Sequence, residues 1–493
     1  MQSRLRWLFF FITMLSIMLM AARVPLDTDM WWHVKAGQVS IENGAPLLHD
    51  TFSYTRNGMD WVNHSWLAEV ILAFLYQRFG YYGLTLFVVL LSLATFSILY
   101  FLIEGHAFIK AILVILSGTF VSTVWSPRPQ LFTLFFLSLL VFFVTRYFQG
   151  KIKHLWGVPF LFMLWGNLHG GYFTGILFLL MMLLGIFYDF FFITKEVSYT
   201  GAMAKHLLFV TVLSIPALLL NPNGFDILKI PFSTVGVDIL RNFIDEWSSP
   251  DFHQPLQMGF LLLLFLFIFF INSTKEKFSA RELFPVLGFG ILAFYAKRNI
   301  APFVLVMMPL FATVLNNWLE TLRFSGFFAD LMVPSVYDIR MKDDLPLVMR
   351  IINLFFVFVM GIIAAGKLVY VSYPSVVDTY LSQSTPVEAY EIYASMNTDG
   401  NLLNEYAWGG YQIAHYENMP VFVDGRTDLF GDEIIGQWIS LVRASDGYAV
   451  LLNQYDIRAV LLQNDRPLLT SLIEQGWQEI YRDTKGVLLI QSE

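Results

Sequence analysis

Asp27-Thr28-Asp29-Met30-Trp31-Trp32-His33 follows directly on the first apolar segment and begins a polar and aromatic stretch that runs to Glu69. Its carboxylates, indoles and imidazole would lie where a helix leaves a membrane. The same stretch continues through His49-Asp50-Thr51-Phe52-Ser53-Tyr54 and Trp61-Val62-Asn63-His64-Ser65-Trp66-Leu67-Ala68-Glu69. A polar loop between two apolar walls is where we expect any chemistry of this protein to take place.

Composition places the chain in the membrane. Of its 493 residues, 56% are hydrophobic and 14% charged, whereas ordinary globular chains carry about 25% charged residues. The formal net charge of −7 and the lack of a long basic tract exclude nucleic acid as an expected partner. Partners should be lipid or lipid-linked. The absence of cysteine excludes disulfides, thiolate catalysis and cysteine metal sites.

Apolar runs of the length needed to cross a bilayer, about 20 residues, continue to near residue 370. We predict a polytopic α-helical membrane domain over 1–371, with a first outer loop at 23–81 and a second at 221–257. Several spans are short, as expected of helices that end inside a water-filled cavity. The eleven predicted spans lie near residues 7–23, 82–103, 109–124, 131–148, 155–168, 171–193, 206–220, 258–272, 283–296, 300–316 and 350–371.

Lysine and arginine in the short loops predict the orientation, because these residues concentrate on the cytoplasmic side. With the N-terminus inside, both outer loops and everything after Tyr370 lie outside. Arg4 and Arg6 precede the apolar run from Leu8 to Ala22, which favours a retained signal anchor over a cleaved signal peptide. The predicted cytoplasmic cations are Arg4, Arg6, Lys110, Arg146, Lys151, Lys153, Lys195, Lys205, Lys275, Lys277, Arg281, Arg340, Lys342 and Arg350.

A change in composition predicts a soluble α/β domain over 372–493. Val423-Asp424-Gly425-Arg426-Thr427-Asp428 and Trp408-Gly409-Gly410-Tyr411 follow predicted strands, and α/β folds place ligands at such strand ends. We favour the simpler interpretation, in which Asp424 pairs with Arg426 and fixes a loop. Strands are predicted at 402–403, 421–423, 459–462 and 487–490, and helices near 387–396, 431–443 and 466–475.

Asp27 and Asp29 are the first candidates for chemistry. A carboxylate at the membrane boundary can accept a proton from a hydroxyl nucleophile, or help to hold a divalent cation against phosphate oxygens. The alternative is a solvated helix end with Trp31 and Trp32 as interfacial aromatics. Arg128 stands between two prolines, on a stiff link suited to gripping a phosphate. Its alternative is an ordinary contact with lipid headgroups.

Further polar groups lie at other outer links. Lys297 and Arg298 form a second cationic link, which indicates an anionic ligand or, equally, headgroup contact. Asn167 and His169 precede a Gly170-Gly171 pair that permits close backbone approach. They could contact sugar hydroxyls or a phosphate, although a lone histidine is more often structural.

Glu246 and Trp247 offer a carboxylate and a stacking plane for a sugar, with a solvated loop as the alternative. His33, His49 and His64 could bind a metal together with Asp29 or Asp50. No tight ligand spacing such as His-Glu-x-x-His occurs. The sequence therefore does not decide whether a divalent cation binds.

The chain resembles the GT-C superfamily of integral-membrane glycosyltransferases in its arrangement. It has an acidic pair in the first outer loop directly after the first span, an apolar interfacial helix between Leu67 and Phe79 before the second span, many short spans and a C-terminal outer α/β domain. More narrowly, nearly the whole chain is similar to a widespread group of bacterial membrane proteins described as hypothetical or glycosyltransferase-like. That similarity lies in the motifs of the first outer loop and in Arg128-Pro129-Gln130, Asn167-Leu168-His169-Gly170-Gly171, Asn221-Pro222-Asn223-Gly224 and Val423-Asp424-Gly425-Arg426. The chain departs from better-known members because it lacks the oligosaccharyltransferase-type Trp-Trp-Asp signature.

The resemblance implies an enzyme of the bacterial cytoplasmic membrane that moves a sugar from a polyprenyl-phosphate-linked donor to an envelope acceptor on the outer face. Glycan, lipid and protein remain possible acceptors. It implies that Asp29 is the base, with Asp27 second, and that Arg128 and Arg298 bind phosphate. A transporter or flippase of lipid-linked precursors and a non-catalytic envelope scaffold are the alternatives. The residues predicted to bind substrate or phosphate are Arg128, Lys297, Arg298, His169, Asn167, His33, His64, Glu69, Glu246 and Trp247.

Overall fold

The structure, a computed structural model, describes residues 2–192, 199–235, 244–274, 277–321, 347–396 and 398–492. Residues 236–243 of the second predicted outer loop fall outside this set. So do four of the predicted cytoplasmic cations, which are Lys195, Lys275, Arg340 and Lys342.

Every predicted span coincides with a helix. The helices up to residue 371 are α1 (Gln2–Ala21), α2 (Met30–Asn43), α3 (Trp66–Phe79), α4 (Tyr81–Leu102), α5 (Ala107–Val121), α6 (Gln130–Phe148), α7 (Gly157–Leu168), α8 (Tyr172–Phe192), α9 (Gly201–Leu218), α10 (Ile230–Val235), α11 (Pro255–Ser273), α12 (Ala280–Tyr295), α13 (Ile300–Thr321) and α14 (Leu347–Val371).

Within the described residues, 8 helices are long and apolar enough to cross a membrane. They include α14, in which only Ala364 and Val371 are buried, as expected for a helix that faces lipid. The apolar segments Arg6–Ala21 and Gly157–Leu168 are shorter, and α12 has 16 residues. The chain is therefore a multi-pass membrane protein by length and composition, and eleven crossings stay a prediction.

The first outer loop contains a helix that the sequence did not reveal. Residues 30–43 form α2, which packs along α3. A Cβ added to Gly37 would lie 2.0 Å from the backbone oxygen of Glu69, so these helices approach too closely for any larger residue. This helix was not predicted, whereas the predicted apolar helix between Leu67 and Phe79 is confirmed as α3. The indoles and Val34 of α2 are buried.

The C-terminal part is a small α/β unit. Its elements are α15 (Pro374–Ser384), α16 (Val387–Ser395), β1 (Asn401–Asn404), α17 (Gly409–His415), α18 (Thr427–Val442), α19 (Tyr448–Gln454), β2 (Ile457–Gln463), α20 (Pro467–Glu474), β3 (Gln478–Arg482) and β4 (Gly486–Ile490). The sheet has the order β1-β2-β4-β3. β1 is parallel to β2, and the other two pairings are antiparallel. The helices α15, α17 and α19 and the strand β3 were not predicted.

The predicted strand at 421–423 is not part of this sheet. Val421 instead forms an isolated bridge with Ser53, in which its N–H donates to Phe52 at 2.9 Å and its carbonyl accepts from Tyr54 at 3.1 Å. Val421 also shares a buried cluster with Trp32 and Trp61. The C-terminal unit is therefore packed directly against the first outer loop.

Candidate functional site

Arg128 is the centre of a cluster of charged side chains beside the first outer loop. Its Nη1 lies 2.7 Å from Oδ2 of Asp29, its Nε 3.3 Å from Oδ2 of Asp27, and its Nη2 3.3 Å from Oε2 of Glu246. The backbone N–H of Asp29 also donates to Oδ1 of Asp27 at 2.9 Å. Residues from the first outer loop, the link before α6 and the second outer loop therefore meet at one guanidinium.

The second predicted cationic link joins the same cluster. Nη1 of Arg298 lies 3.1 Å from Oε1 of Glu246, and its guanidinium stacks 4.4 Å from the ring of Trp247. Lys297 pairs with Asp245, whose side chain is 90% exposed. Glu246 therefore bridges Arg128 and Arg298, while Lys297 is directed to a surface carboxylate.

Burial and neighbouring charge shift the pKa of the acids in this cluster. Burial raises the pKa of Asp29 to about 6; Arg128 opposes this shift, and Asp27 adds to it. Burial also raises the pKa of Glu246, but Arg298 and Arg128 outweigh it and hold the pKa below its usual value. Asp29 is therefore the carboxylate that can exchange a proton near neutral pH.

The C-terminal unit covers one side of Asp29. A Cβ added to Gly425 would lie 1.9 Å from Oδ1 of Asp29 and 2.9 Å from Nε1 of Trp32. That indole N–H is buried and has no hydrogen-bond partner within the described ranges. A Cβ on Gly410 would likewise lie 2.4 Å from the carbonyl oxygen of Thr28. Only glycine at these two positions allows the C-terminal unit to approach Asp29 and Thr28 this closely.

Next to this cluster, His33 and Glu69 form a buried pair. Nδ1 of His33 lies 3.0 Å from Oε1 of Glu69, and Oε2 accepts from the Asn63 amide at 2.6 Å. Burial raises the pKa of Glu69 to about 8 and holds the pKa of His33 well below its usual value. At neutral pH the pair is uncharged, with the proton on Glu69. The buried pair joins α2 to α3, and substrate contact by either residue stays a prediction.

His169 is held in one tautomer. Its Nδ1 accepts from the Gly171 N–H at 3.0 Å and lies 2.7 Å from Oγ1 of Thr133. Nε2 therefore carries the proton of the neutral ring, and burial keeps the pKa of His169 well below its usual value. The His64 ring is 5.9 Å away, and its Nδ1 is buried with no hydrogen-bond partner in the described part of the chain. Nδ1 of His64 lies 3.8 Å from Oδ2 of Asp428, and His169 offers an uncharged donor near the arginines.

Asn167 is hydrogen-bonded within the protein. Its Oδ1 accepts from Trp66 at 2.9 Å, and its amide group donates to the carbonyl oxygens of Met163 and Leu220 at 2.8 and 2.9 Å. These bonds position the first outer loop against α7. The expected contact with sugar or phosphate stays a prediction.

The predicted histidine metal site does not assemble. His33 is taken by Glu69, whereas His49 pairs at the surface with Asp60 at 2.9 Å. Over the described ranges, no group of three or more His, Asp or Glu residues could hold a metal ion. The carboxylates of the Arg128 cluster are oxygen ligands of the kind that divalent cations prefer, but the guanidinium occupies the position between them.

A second arginine cluster joins the C-terminal unit to the first outer loop. Arg426 donates to both carboxylate oxygens of Asp424 through Nε and Nη2, at 2.9 to 3.1 Å and 2.7 Å. Its Nη1 donates to Oδ1 of Asp50 at 2.6 Å, and all three side chains are 0% exposed. The predicted Asp424–Arg426 pair is confirmed. Asp50 was not foreseen as its partner.

Sequence reasoning also missed Gly425 and Thr133. The signal for the first was available, since glycines at 409–410 and 425 follow strands or apolar runs where a backbone must approach another segment. No local pattern marks Thr133, because it lies inside the apolar helix α6 and its role depends on the hydrogen bond to His169.

The fold is similar to solved structures of the oligosaccharyltransferase of Archaeoglobus fulgidus. The apo form gives a TM-score of 0.54 at 12% identity, covering 92% of this chain and 69% of that one. The form tethered to an acceptor peptide with the NVT sequon gives 0.52 at 12% identity, covering 98% and 74%. AglB from the same organism, in complex with an inhibitory peptide and a dolichol-phosphate, gives 0.52 at 12% identity, covering 92% and 69%. At this identity the likeness establishes the fold.

No family model matches the chain, and no curated protein matches it significantly. The likeness to these structures therefore concerns the fold alone, and both the GT-C resemblance and the narrower bacterial group stay predictions.

Proposed function

We propose that this chain is a membrane glycosyltransferase that moves a sugar from a polyprenyl-phosphate-linked donor to an envelope acceptor on the outer face of the bacterial cytoplasmic membrane. The observation that carries the proposal is the Arg128 cluster, where a carboxylate able to exchange a proton lies beside two arginines. The likeness of the fold to a transferase whose structure holds a dolichol-phosphate supports the same class of donor.

In the proposed step, Asp29 takes the proton of the acceptor group. The acceptor atom forms a bond to the anomeric carbon, and the bond from that carbon to the phosphate oxygen breaks. The electron pair leaves with the polyprenyl phosphate, and configuration at the sugar inverts because attack and departure occur on opposite faces.

The arginines take different parts in this step. Arg128 is shared by three carboxylates, so it chiefly holds Asp29 in place and keeps the pKa of that carboxyl from rising further. Arg298 pairs only with Glu246 within the described part of the chain. Its remaining N–H groups are the better partners for the leaving phosphate, and uncharged His169 adds a donor.

The test compares wild-type, deleted and Asp29→Asn strains by mass spectrometry of lipid-linked sugars and surface glycans, at equal membrane abundance. Removing a general base costs about 10²- to 10⁴-fold in rate, so Asp29→Asn should remove one glycan and accumulate its polyprenyl-phosphate donor, as deletion does. Asp60→Asn is the matched control, since this acid belongs to the same loop but is 91% exposed. It should behave as wild type.

Each other outcome is informative. If deletion changes the glycan and Asp29→Asn does not, the base assignment is wrong and a transport or scaffold role is favoured. If neither changes any glycan, the chain is not a transferase of the envelope. Purified protein that transfers sugar only when Asp29 is intact would exclude a flippase.

A further inference from the structure

A second cationic site lies at the other end of the helical bundle. A cavity of about 860 Å³ is lined there by Arg6, Lys110, Arg146 and Lys151, by the single acid Glu104, and by aromatic rings. Its walls come from the start of α1, the end of α4, the start of α5 and the end of α6. From Gln130 to Arg146 helix α6 rises about 24 Å, so this cavity is a full helix length from the Arg128 cluster.

Within the described residues, the positive charge in this cavity exceeds the negative charge. Arg146 and Lys151 both pair with Glu104, with Arg146 at 2.9 Å and Lys151 at 2.6 Å. No ion pair joins Arg6 or Lys110 to any residue in the described ranges; Lys110 lies 4.8 Å from the ring of Tyr100 instead. The arrangement calls for an anion.

The surroundings indicate which kind of anion. Trp7 and Phe101 line the cavity and are about half exposed, at 51% and 47%. Aromatic rings of this kind at the ends of membrane helices lie at the level of lipid headgroups. Basic pockets between membrane helices bind the headgroups of anionic lipids.

We propose that this cavity binds the phosphate of an anionic phospholipid, with Lys110 and Arg6 as its charge partners and the aromatic rings against the start of its acyl chains. The proposal does not depend on the transferase function. It gives the predicted cytoplasmic end of the protein a lipid site of its own.

The test is a titration of the purified full-length chain in mild detergent, read by native mass spectrometry. The probes are phosphatidylglycerol, phosphatidylcholine and inorganic phosphate. Phosphatidylglycerol should bind at least tenfold more tightly than phosphatidylcholine. Each removed cation should weaken binding about fivefold, so the Arg6→Gln/Lys110→Gln double variant should lose about 25-fold.

The controls separate a built site from general surface charge and from misfolding. Lys153→Gln removes an exposed cation of the same end that does not line the cavity, and it should leave binding unchanged. Lys110→Arg keeps the charge and should retain binding. Equal affinity for both lipids, or equal losses in Lys153→Gln and Lys110→Gln, would overturn the proposal. Inorganic phosphate that binds as tightly as the lipid would identify a free-anion site instead.

Discussion

Arg426 and Arg128 are both held by aspartates of the first outer loop, but their surroundings differ. Arg426 and its two partners are 0% exposed, whereas the side chains of Arg128, Asp29 and Glu246 are 16%, 23% and 32% exposed. The rings of Phe52 and Trp61 lie within 5.2 Å of the Arg426 guanidinium. The Arg426 cluster is closed to solvent, whereas the Arg128 cluster is accessible to ligand and water.

The number of carboxylates around the two guanidinium groups differs as well. Arg426 meets two carboxylates, while Arg128 meets three and shares one of them with Arg298. Asp27 and Glu246 contribute to the raised pKa of Asp29. An arginine–aspartate pair is thus no sign of function by itself; the neighbouring acids and the access to the cluster decide what it does.

The largest effect is expected from a substitution that breaks the Arg426 cluster. Arg426→Met leaves Asp50 and Asp424 buried without a cation, which should lower the free energy of unfolding by about 3–5 kcal/mol. Thermal unfolding of the purified protein measures it. Arg458→Met is the control, because Arg458 is 49% exposed and pairs with an exposed aspartate; its effect should stay within about 0.5 kcal/mol. Equal thermal midpoints for both variants would contradict a sealed, stabilising cluster.

Variants of the Arg128 cluster should change how activity depends on pH. Transfer requires deprotonated Asp29, so activity should rise with pH through the pKa of about 6. Arg128→Gln removes the cation that lowers the pKa of Asp29. The pH at which activity rises should therefore increase by about 1–3 units. A pH–activity profile measures the shift.

Arg128→Lys is the matched control variant for that profile. Because it keeps the positive charge, activity should rise at nearly the same pH as in the wild type. If the activity of Arg128→Gln also rises at that pH, Asp29 is not the group that titrates. A lower rate at every pH with no shift would assign Arg128 to phosphate binding instead.

The smallest effect concerns the neutral pair that supports the site. Folding raises the pKa of Glu69 from 4.5 to about 8 and lowers the pKa of His33 well below 6.5. The two shifts offset each other between pH 4.5 and 6.5, so the folded state binds more protons than the unfolded state between pH 6.5 and 8. The free energy of unfolding therefore falls as pH rises through this window. Glu69→Gln mimics the protonated form and should leave stability at pH 6 nearly unchanged while flattening its pH dependence. Thermal unfolding from pH 5 to 9 measures it, and an equally steep fall in Glu69→Gln would contradict the assignment.

The sequence predicted most of the membrane domain, because a long apolar run has few structural alternatives. It also identified Asp29, Arg128, Glu246 and Arg298, since charged residues at the edges of such runs need partners. Short elements of the outer unit were harder. The run at 421–423 has the composition of a strand, but its partner is Ser53 of the first outer loop, and no local pattern states which segment a strand meets.

Supporting contacts were missed for the same reason. α2 was not predicted because its buried indoles look like interfacial aromatics in the sequence. Asp50 was assigned to a possible metal site, although its partner Arg426 lies 376 residues away. Such pairings depend on the whole fold, and only the close-approach glycines give a hint of them.

That separation along the chain sets an order of events during synthesis. At about 5–20 residues per second, Asp50 is made roughly 20 to 75 s before Arg426 can reach it. The acidic motif is thus complete in sequence long before Gly425 can close over Asp29. A nascent chain therefore completes the Arg128 cluster before it can make the cover over Asp29.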